Sequence, residues 1–151
     1  MENINTSKVS IKKLKKDAVI PSYGTPYAAG ADLYACLEEP VTIKPSETVM
    51  IPTGVSMAIP TGCAGLIYAR SGLASKKGLA PANKVGVIDS DYRGEILVAL
   101  HNHSTKEAVV EGGERVAQLV ITPYIKALFN ETDELDETDR GSNGFGSTGT
   151  K

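Results

Sequence analysis

A carboxylate, a phenol and a guanidinium crowd into one short stretch of this chain of 151 residues, GVIDSDYRGEI from Gly86 to Ile96. A carboxylate within hydrogen-bond reach of a water can act as general base. Tyr92 offers a flat apolar face and Arg93 a cation. Val85, Val87 and Ile88 read as the end of a buried strand, and Asp89, Ser90 and Asp91 as turn formers. Glu95 to Leu100 begins a second apolar run. A polar elbow held by strands is a place for chemistry. A simple hairpin with polar turn residues has the same composition, and this stretch alone leaves both readings open.

Other residue groups carry their own chemistry. Arg70-Ser71-Gly72 opens a predicted helix, where free N–H groups, a hydroxyl and the helix dipole favour an anion. Ser71 acting only as a helix cap is the alternative. Gln118, inside the apolar run RVAQLV, is either inward and in need of partners or outward on a half-exposed strand. Asp32 is likewise a carboxylate in an apolar strand start, AGADLYA. Phe145 is one of two phenylalanines in the chain and stands between Gly144 and Gly146. A lone ring in a segment without a core implies a contact elsewhere, either docking on a neighbouring subunit or stacking on a planar ligand. Around it Gly141, Ser142, Ser147 and Thr148 supply backbone donors and hydroxyls, and Arg140 a fork for phosphate oxygens. That run lacks the preceding strand and following helix of a dinucleotide or P-loop site. His101 and His103 share a strand face, but no histidine or cysteine cluster adds the further ligand that zinc needs. No nucleophile-elbow motif signals a Ser-His-Asp triad.

Short strands must position these groups. The apolar and polar pattern predicts them at Val9–Leu14, Ala29–Ala35, Val41–Ile43, Thr48–Ile51, Val55–Ile59, Cys63–Tyr68, up to Ile88, and at Glu95–His101, Ala108–Val110 and Arg115–Thr122. Turn signals rich in Pro and Gly separate them. One helix, Ser71–Lys77, is predicted. Close, regular strands with a single helix indicate an all-β jelly roll of roughly ten strands. We place one domain over 1–125 and an exposed arm with a glycine-rich tail over 126–151. From Lys126 to Gly149 an extended arm spans up to roughly 80 Å, ample to reach a neighbouring subunit.

Bulk composition narrows the classes. Apolar residues are 41% and the formal net charge is −2. That is one core's worth of chain and no basic surface, so a dedicated nucleic-acid binder is not expected. No apolar run is long enough for a membrane span, and Met1 to Ser7 lacks the apolar core of a secretory signal. Cys36 and Cys63 form no metal pattern, and a reduced compartment is the default expectation. Lys12, Lys13, Lys15 and Lys16 read as a solvated flank.

AGADLYA, ARSGLA, NKVGVIDSDYRGEI, ERVAQLVI and RGSNGFGSTG, in this order and spacing, closely resemble the five motifs of the trimeric deoxyuridine triphosphate nucleotidohydrolases, the dUTPases. The resemblance runs from about Ala28 to Gly149. It implies an all-β jelly-roll homotrimer of β-clip type, with active sites shared between subunits, that hydrolyses dUTP to dUMP and pyrophosphate with Mg²⁺. Such an activity keeps uracil out of DNA and supplies dUMP for dTMP synthesis. By the same resemblance, Asp89 activates a water for attack on the α-phosphorus. Tyr92 packs on the deoxyribose and leaves no room for a 2′-hydroxyl. Asn83 and the backbone of Gly86, Val87 and Ile88 read uracil. Arg70, Ser71 and Gly72 contact phosphate, with Gln118 as their partner on the adjacent strand, and Asp32 supports the site from behind. Arg140, Phe145, Gly146, Ser147 and Thr148 belong to the tail that closes over the nucleotide. Mg²⁺ is expected on the substrate phosphates and waters, with no direct protein ligand. Gly72 and Ala69 depart from the usual Ser and Pro of the second motif. A cytoplasmic location, or a nuclear one in a eukaryote, is expected. The nearest enzyme alternative is deamination of dCTP on the same fold; a different class is a nucleotide-sensing regulatory protein.

Overall fold

The computed structural model describes residues 6–144. Twelve strands and one helix follow one another: β1 (Ser10–Lys13), β2 (Ser22–Tyr23), β3 (Ala31–Tyr34), β4 (Val41–Ile43), β5 (Thr48–Pro52), β6 (Val55–Ala58), β7 (Cys63–Tyr68), α1 (Ser71–Lys77), β8 (Leu79–Pro81), β9 (Gly86–Ile88), β10 (Leu97–Asn102), β11 (Ala108–Val110) and β12 (Arg115–Pro123). The helix has the predicted bounds. β2 and β8 were not expected. They are short, at 2 and 3 residues, and lie in turn-rich sequence. No helix among the described residues is long and apolar enough to cross a membrane.

All pairings are antiparallel, in a five-stranded sheet of order β2-β3-β12-β7-β9, a three-stranded sheet β5-β10-β8, and the pairs β1-β6 and β11-β4. The architecture is all-β, of the jelly-roll kind. Alternation drives it: in β10, Val98, Leu100 and Asn102 are buried while Leu97 is exposed. Leu33, Ile43, Ile51, Leu79, Ile96, Leu100 and Val116 fill one continuous core. Each such side chain stabilises the fold by about 1.5–3 kcal/mol relative to exposure.

The polar side chain of Asn102, fully buried in this core, is satisfied. Asn102 Nδ2 donates to the carbonyls of Ile43 (2.9 Å) and Lys106 (2.8 Å), and its Oδ1 accepts from the N–H and hydroxyl of Ser104. Cys36 and Cys63 are both free thiols. After Tyr124, whose N–H donates to Gly62 O, the chain leaves the sheets as an extended arm. The arm is less polar than its run of acids predicts, since Ile125, Leu128, Phe129 and Leu135 are 84–97% exposed.

Candidate active site

Among the described residues β9 is an edge strand, paired with β7 through Gly65↔Ile88, Leu66↔Val87 and Ile67↔Gly86. β10, beyond the elbow, pairs with β5 and β8 instead. The hairpin alternative therefore does not hold. The chain at Asp89–Ile96 crosses from one sheet to another, and the crossing opens a cleft. The cleft holds about 280 Å³, and its lining includes Asn83, Gly86, Val87, Ile88, Asp89 and Tyr92 together with Met50, Glu95 and Leu97. A broader groove of about 810 Å³ lies between α1 and the 104–114 segment. It mixes lysines with glutamates and contains none of the candidate residues, so its size carries no chemistry.

The elbow is tightly tied. The Tyr92 N–H donates to Asp89 O (3.2 Å), and Arg93 Nη1 donates to the carbonyls of Ser90 (2.7 Å) and Tyr92 (2.9 Å). Arg93 thus braces the turn. Asp89 stays exposed at the cleft, where a water can meet its carboxylate. The Tyr92 hydroxyl donates to Glu95 O (3.0 Å), so its ring is fixed at its far end. A β-carbon at Gly94 would lie 2.3 Å from that hydroxyl, which explains the glycine. On the other side, Lys84 takes φ +66°, a conformation a β-carbon disfavours, and sets the turn that presents Asn83. A β-carbon at Gly86 would press on the Asn83 amide nitrogen at 3.3 Å.

A second cluster forms where β3, β7 and β12 meet. Gln118 stands opposite both Asp32 and Tyr68. Its Nε2 donates to Ala69 O (2.8 Å), so the half-buried side chain is partnered, while Ala117 and Leu119 on either side of it point into the core. Asp32, buried at 8% exposure, accepts from Arg70 Nε on Oδ1 (2.7 Å) and from Arg115 Nη1 on Oδ2 (3.3 Å). One carboxylate between two guanidiniums leaves net positive charge. Because Arg70 is held through Nε, its outer nitrogens remain for a ligand. Arg70 is also the N-cap residue of α1, with no side-chain capping bond and no acid in the first turn. Ser71 is the first helical residue and does not cap, so its exposed hydroxyl is not committed to that role. A β-carbon at Gly72 meets nothing within 4 Å, so the departure from Ser there is not forced by crowding.

The structure does not bring these two clusters together within one chain. Asp89 lies one residue beyond the Ile88↔Gly65 pair, level with Ala64, while Arg70 lies past the other end of β7. Six residues at about 3.3 Å each put them roughly 20 Å apart. Arg140 is apart from both in the exposed arm, its Nε donating to Asn143 O (2.9 Å). Phe145, Gly146, Ser147 and Thr148 lie outside the described residues. Arg115, Glu95, Gly94 and Gly30 were not assigned from sequence, although all four sit inside quoted motifs.

The dUTPase family model matches residues 16–149. The deoxyuridine 5'-triphosphate nucleotidohydrolase of Desulfitobacterium hafniense (strain DSM 10664 / DCB-2) is 52% identical over 149 residues, covering 97% of this chain and 99% of that protein. That of Rickettsia akari (strain Hartford) is 48% identical over 147 residues, with 97% and 99% covered. A Staphylococcus bacteriophage 80alpha dUTPase variant with dUpNHpp superposes with a TM-score of 0.88 at 29% identity, over 96% of this chain and 100% of that one. A variant dUTPase of phage phi11 of S. aureus, described with a structural Mg(II) ion, gives 0.76 at 25% identity, over 85% and 98%. A match over nearly the whole chain, spanning both the edge-strand cleft and the arginine pair, leaves one assignment: the chain belongs to the dUTPase family.

Proposed function

We propose that this chain hydrolyses dUTP to dUMP and pyrophosphate, with Asp89 as general base. The observation that carries the reading is the cleft itself: one exposed carboxylate, one fixed aromatic ring and the free edge of β9 face the same small volume. An unpaired strand edge offers alternating N–H and C=O groups, which suit the donor and acceptor pattern of uracil. Asn83 adds an amide, and the Tyr92 face packs on the sugar. Asp89 takes a proton from a water as the water oxygen bonds to the α-phosphorus. The bond from that phosphorus to the bridging oxygen breaks, and pyrophosphate leaves.

The phosphates need positive charge. Arg70, Ser71 and Gly72 supply it with backbone and hydroxyl donors, and Asp32 and Gln118 hold Arg70 in place. At roughly 20 Å from Asp89 these groups do not reach the same triphosphate within one chain. A homotrimer in which one copy's elbow faces another copy's arginine cluster resolves the distance, with Arg140, Phe145, Gly146, Ser147 and Thr148 closing the site. Mg²⁺ fits the donors available: a hard cation takes oxygen ligands, and the triphosphate provides them together with water. When bound, it offsets phosphate charge.

Assays of dUTP, dTTP, UTP and dCTP with Mg²⁺ test the reading. Pyrophosphate from dUTP alone is expected; ammonia from dCTP would replace it with deamination. Asp89→Asn keeps shape and loses the base. Its turnover is expected to fall by about 10²–10⁴ with nucleotide binding largely intact. A near-normal kcat would remove Asp89 from the role.

A further inference from the structure

Tyr92 does not hold its own position. Its backbone N–H is bonded within the turn and its hydroxyl to Glu95 O, so both ends of the residue depend on the elbow, Asp89–Ile96. The elbow in turn is moored to the turn between β5 and β6 by main-chain bonds and by one of its own side chains. Glu95 Oε1 accepts from the N–H of Gly54, at 2.8 Å, across 41 residues of sequence.

Gly54 is a firm mooring. It lies in the turn between β5 and β6 with φ +68°, and a β-carbon there would meet Ala18 Cβ and Cys36 Sγ at 2.8 Å each. Ala18 and Cys36 are themselves buried. The main chain next to Glu95 is tied to the same turn by other bonds. Thr53 Oγ1 donates to Ile96 O (2.6 Å) and the Ile96 N–H donates to Val55 O (2.9 Å). These bonds, with the Thr53 N–H donating to Ile96 O (3.2 Å), pin the Glu95–Ile96 peptide whose Glu95 carbonyl accepts from Tyr92, and the Glu95 carboxylate is the side-chain tie that holds the same residue from its other end.

We infer that Glu95 is a positioning residue for sugar selection: by fastening the elbow to the Gly54 turn it keeps the Tyr92 ring from yielding to a 2′-hydroxyl. The inference rests on the proposed packing of Tyr92 against the deoxyribose. Excluding a single hydroxyl demands a wall that does not retreat. A ring free to shift by an ångström would admit the larger sugar, and displacements of that size change rates by up to about a hundredfold. The energy of the restraint is modest, one hydrogen bond to a charged acceptor, but it acts where a small displacement decides the outcome.

The experiment measures kcat/KM for dUTP and for UTP in the full-length protein. Wild type must first discriminate between them, and Tyr92→Ala must lower that discrimination; if either fails, the assignment of Tyr92 to the sugar fails, independently of Glu95. With both in hand, Glu95→Ala is expected to lower the dUTP/UTP ratio by about tenfold, chiefly by raising activity on UTP relative to dUTP. Glu95→Gln keeps an acceptor for the Gly54 N–H and is expected to keep the ratio within about twofold. A role in stability alone would lower both activities together, with a lower melting temperature and an unchanged ratio, and would overturn the inference. Gly94→Ala tests the same restraint from its other side, because the added carbon collides with the Tyr92 hydroxyl. Its ratio is expected to fall as well, and an unchanged ratio in both Glu95→Ala and Gly94→Ala counts against the inference even if one variant folds poorly.

Discussion

His103 stands just past β10 with its ring centroid 4.6 Å from that of His101. Its pKa is lowered from the ordinary 6.5, first by loss of hydration and then by the charges of His101 and Lys84. A histidine whose folded pKa lies below its unfolded value binds fewer protons when folded. Stability is therefore full above the unfolded pKa, falls as pH drops through 6.5 toward the folded pKa, and levels off below it. We expect the His103 ring to titrate below 6.5 by NMR, and His103→Gln to flatten the matching acid-side fall in melting temperature. A midpoint above 6.5 would reverse the sign and refute the argument. His101 is anchored differently, through a 2.8 Å hydrogen bond between its Nδ1 and Thr48 Oγ1. The two rings thus have distinct surroundings despite their spacing in sequence.

Strand β12 shows what element-level reasoning captured and what it missed. Its apolar run and its one glutamine were legible, because a short apolar run bounded by turn signals announces a buried strand. The partnership of Arg115 with Asp32 was not. Register runs Gln118↔Asp32, Ala117↔Leu33, then Arg115↔Tyr34, with Val116 left over. Simple alternation would put Arg115 on the face opposite Gln118. The bulge returns it to the face of Asp32, and a single chain of letters does not announce a bulge. The elbow was legible as a polar bend, since Asp, Ser and Asp in a row are turn formers, but its crossing between sheets depends on which strands pair. Gly30 belongs to the same lesson. A β-carbon there would come within 2.4 Å of Gln118 Oε1, so the glycine makes room for the amide that holds Ala69 O. Gly30→Ala is expected to displace that amide, loosen Arg70, and raise KM for dUTP about tenfold, while costing about 1–3 kcal/mol of stability. An unchanged KM with normal folding would show that Arg70 keeps its place without Gln118.

At the scale of the whole molecule, four antiparallel groupings of strands surround one core, and the candidate residues form two separate clusters on it. The arm adds a third contribution. Four large apolar side chains, Ile125, Leu128, Phe129 and Leu135, lie almost wholly open along it. Surface of that kind is usually covered in the working assembly. The fold class was readable because the strands are short, close and punctuated; the assembly was not, because no residue pattern within one chain states where its copies sit.

The distance between the Asp89 elbow and the Arg70 cluster has a genetic meaning. If each working centre takes its acid from one polypeptide and its guanidinium from another, defects in these places are not equivalent in company. An Asp89→Asn allele and an Arg70→Ala allele, each nearly inactive alone, should rescue one another when co-expressed, because some mixed assemblies contain a centre free of both lesions. Two alleles damaged at the same position should never do so. Failure of rescue in verified mixed assemblies would mean that every copy works alone.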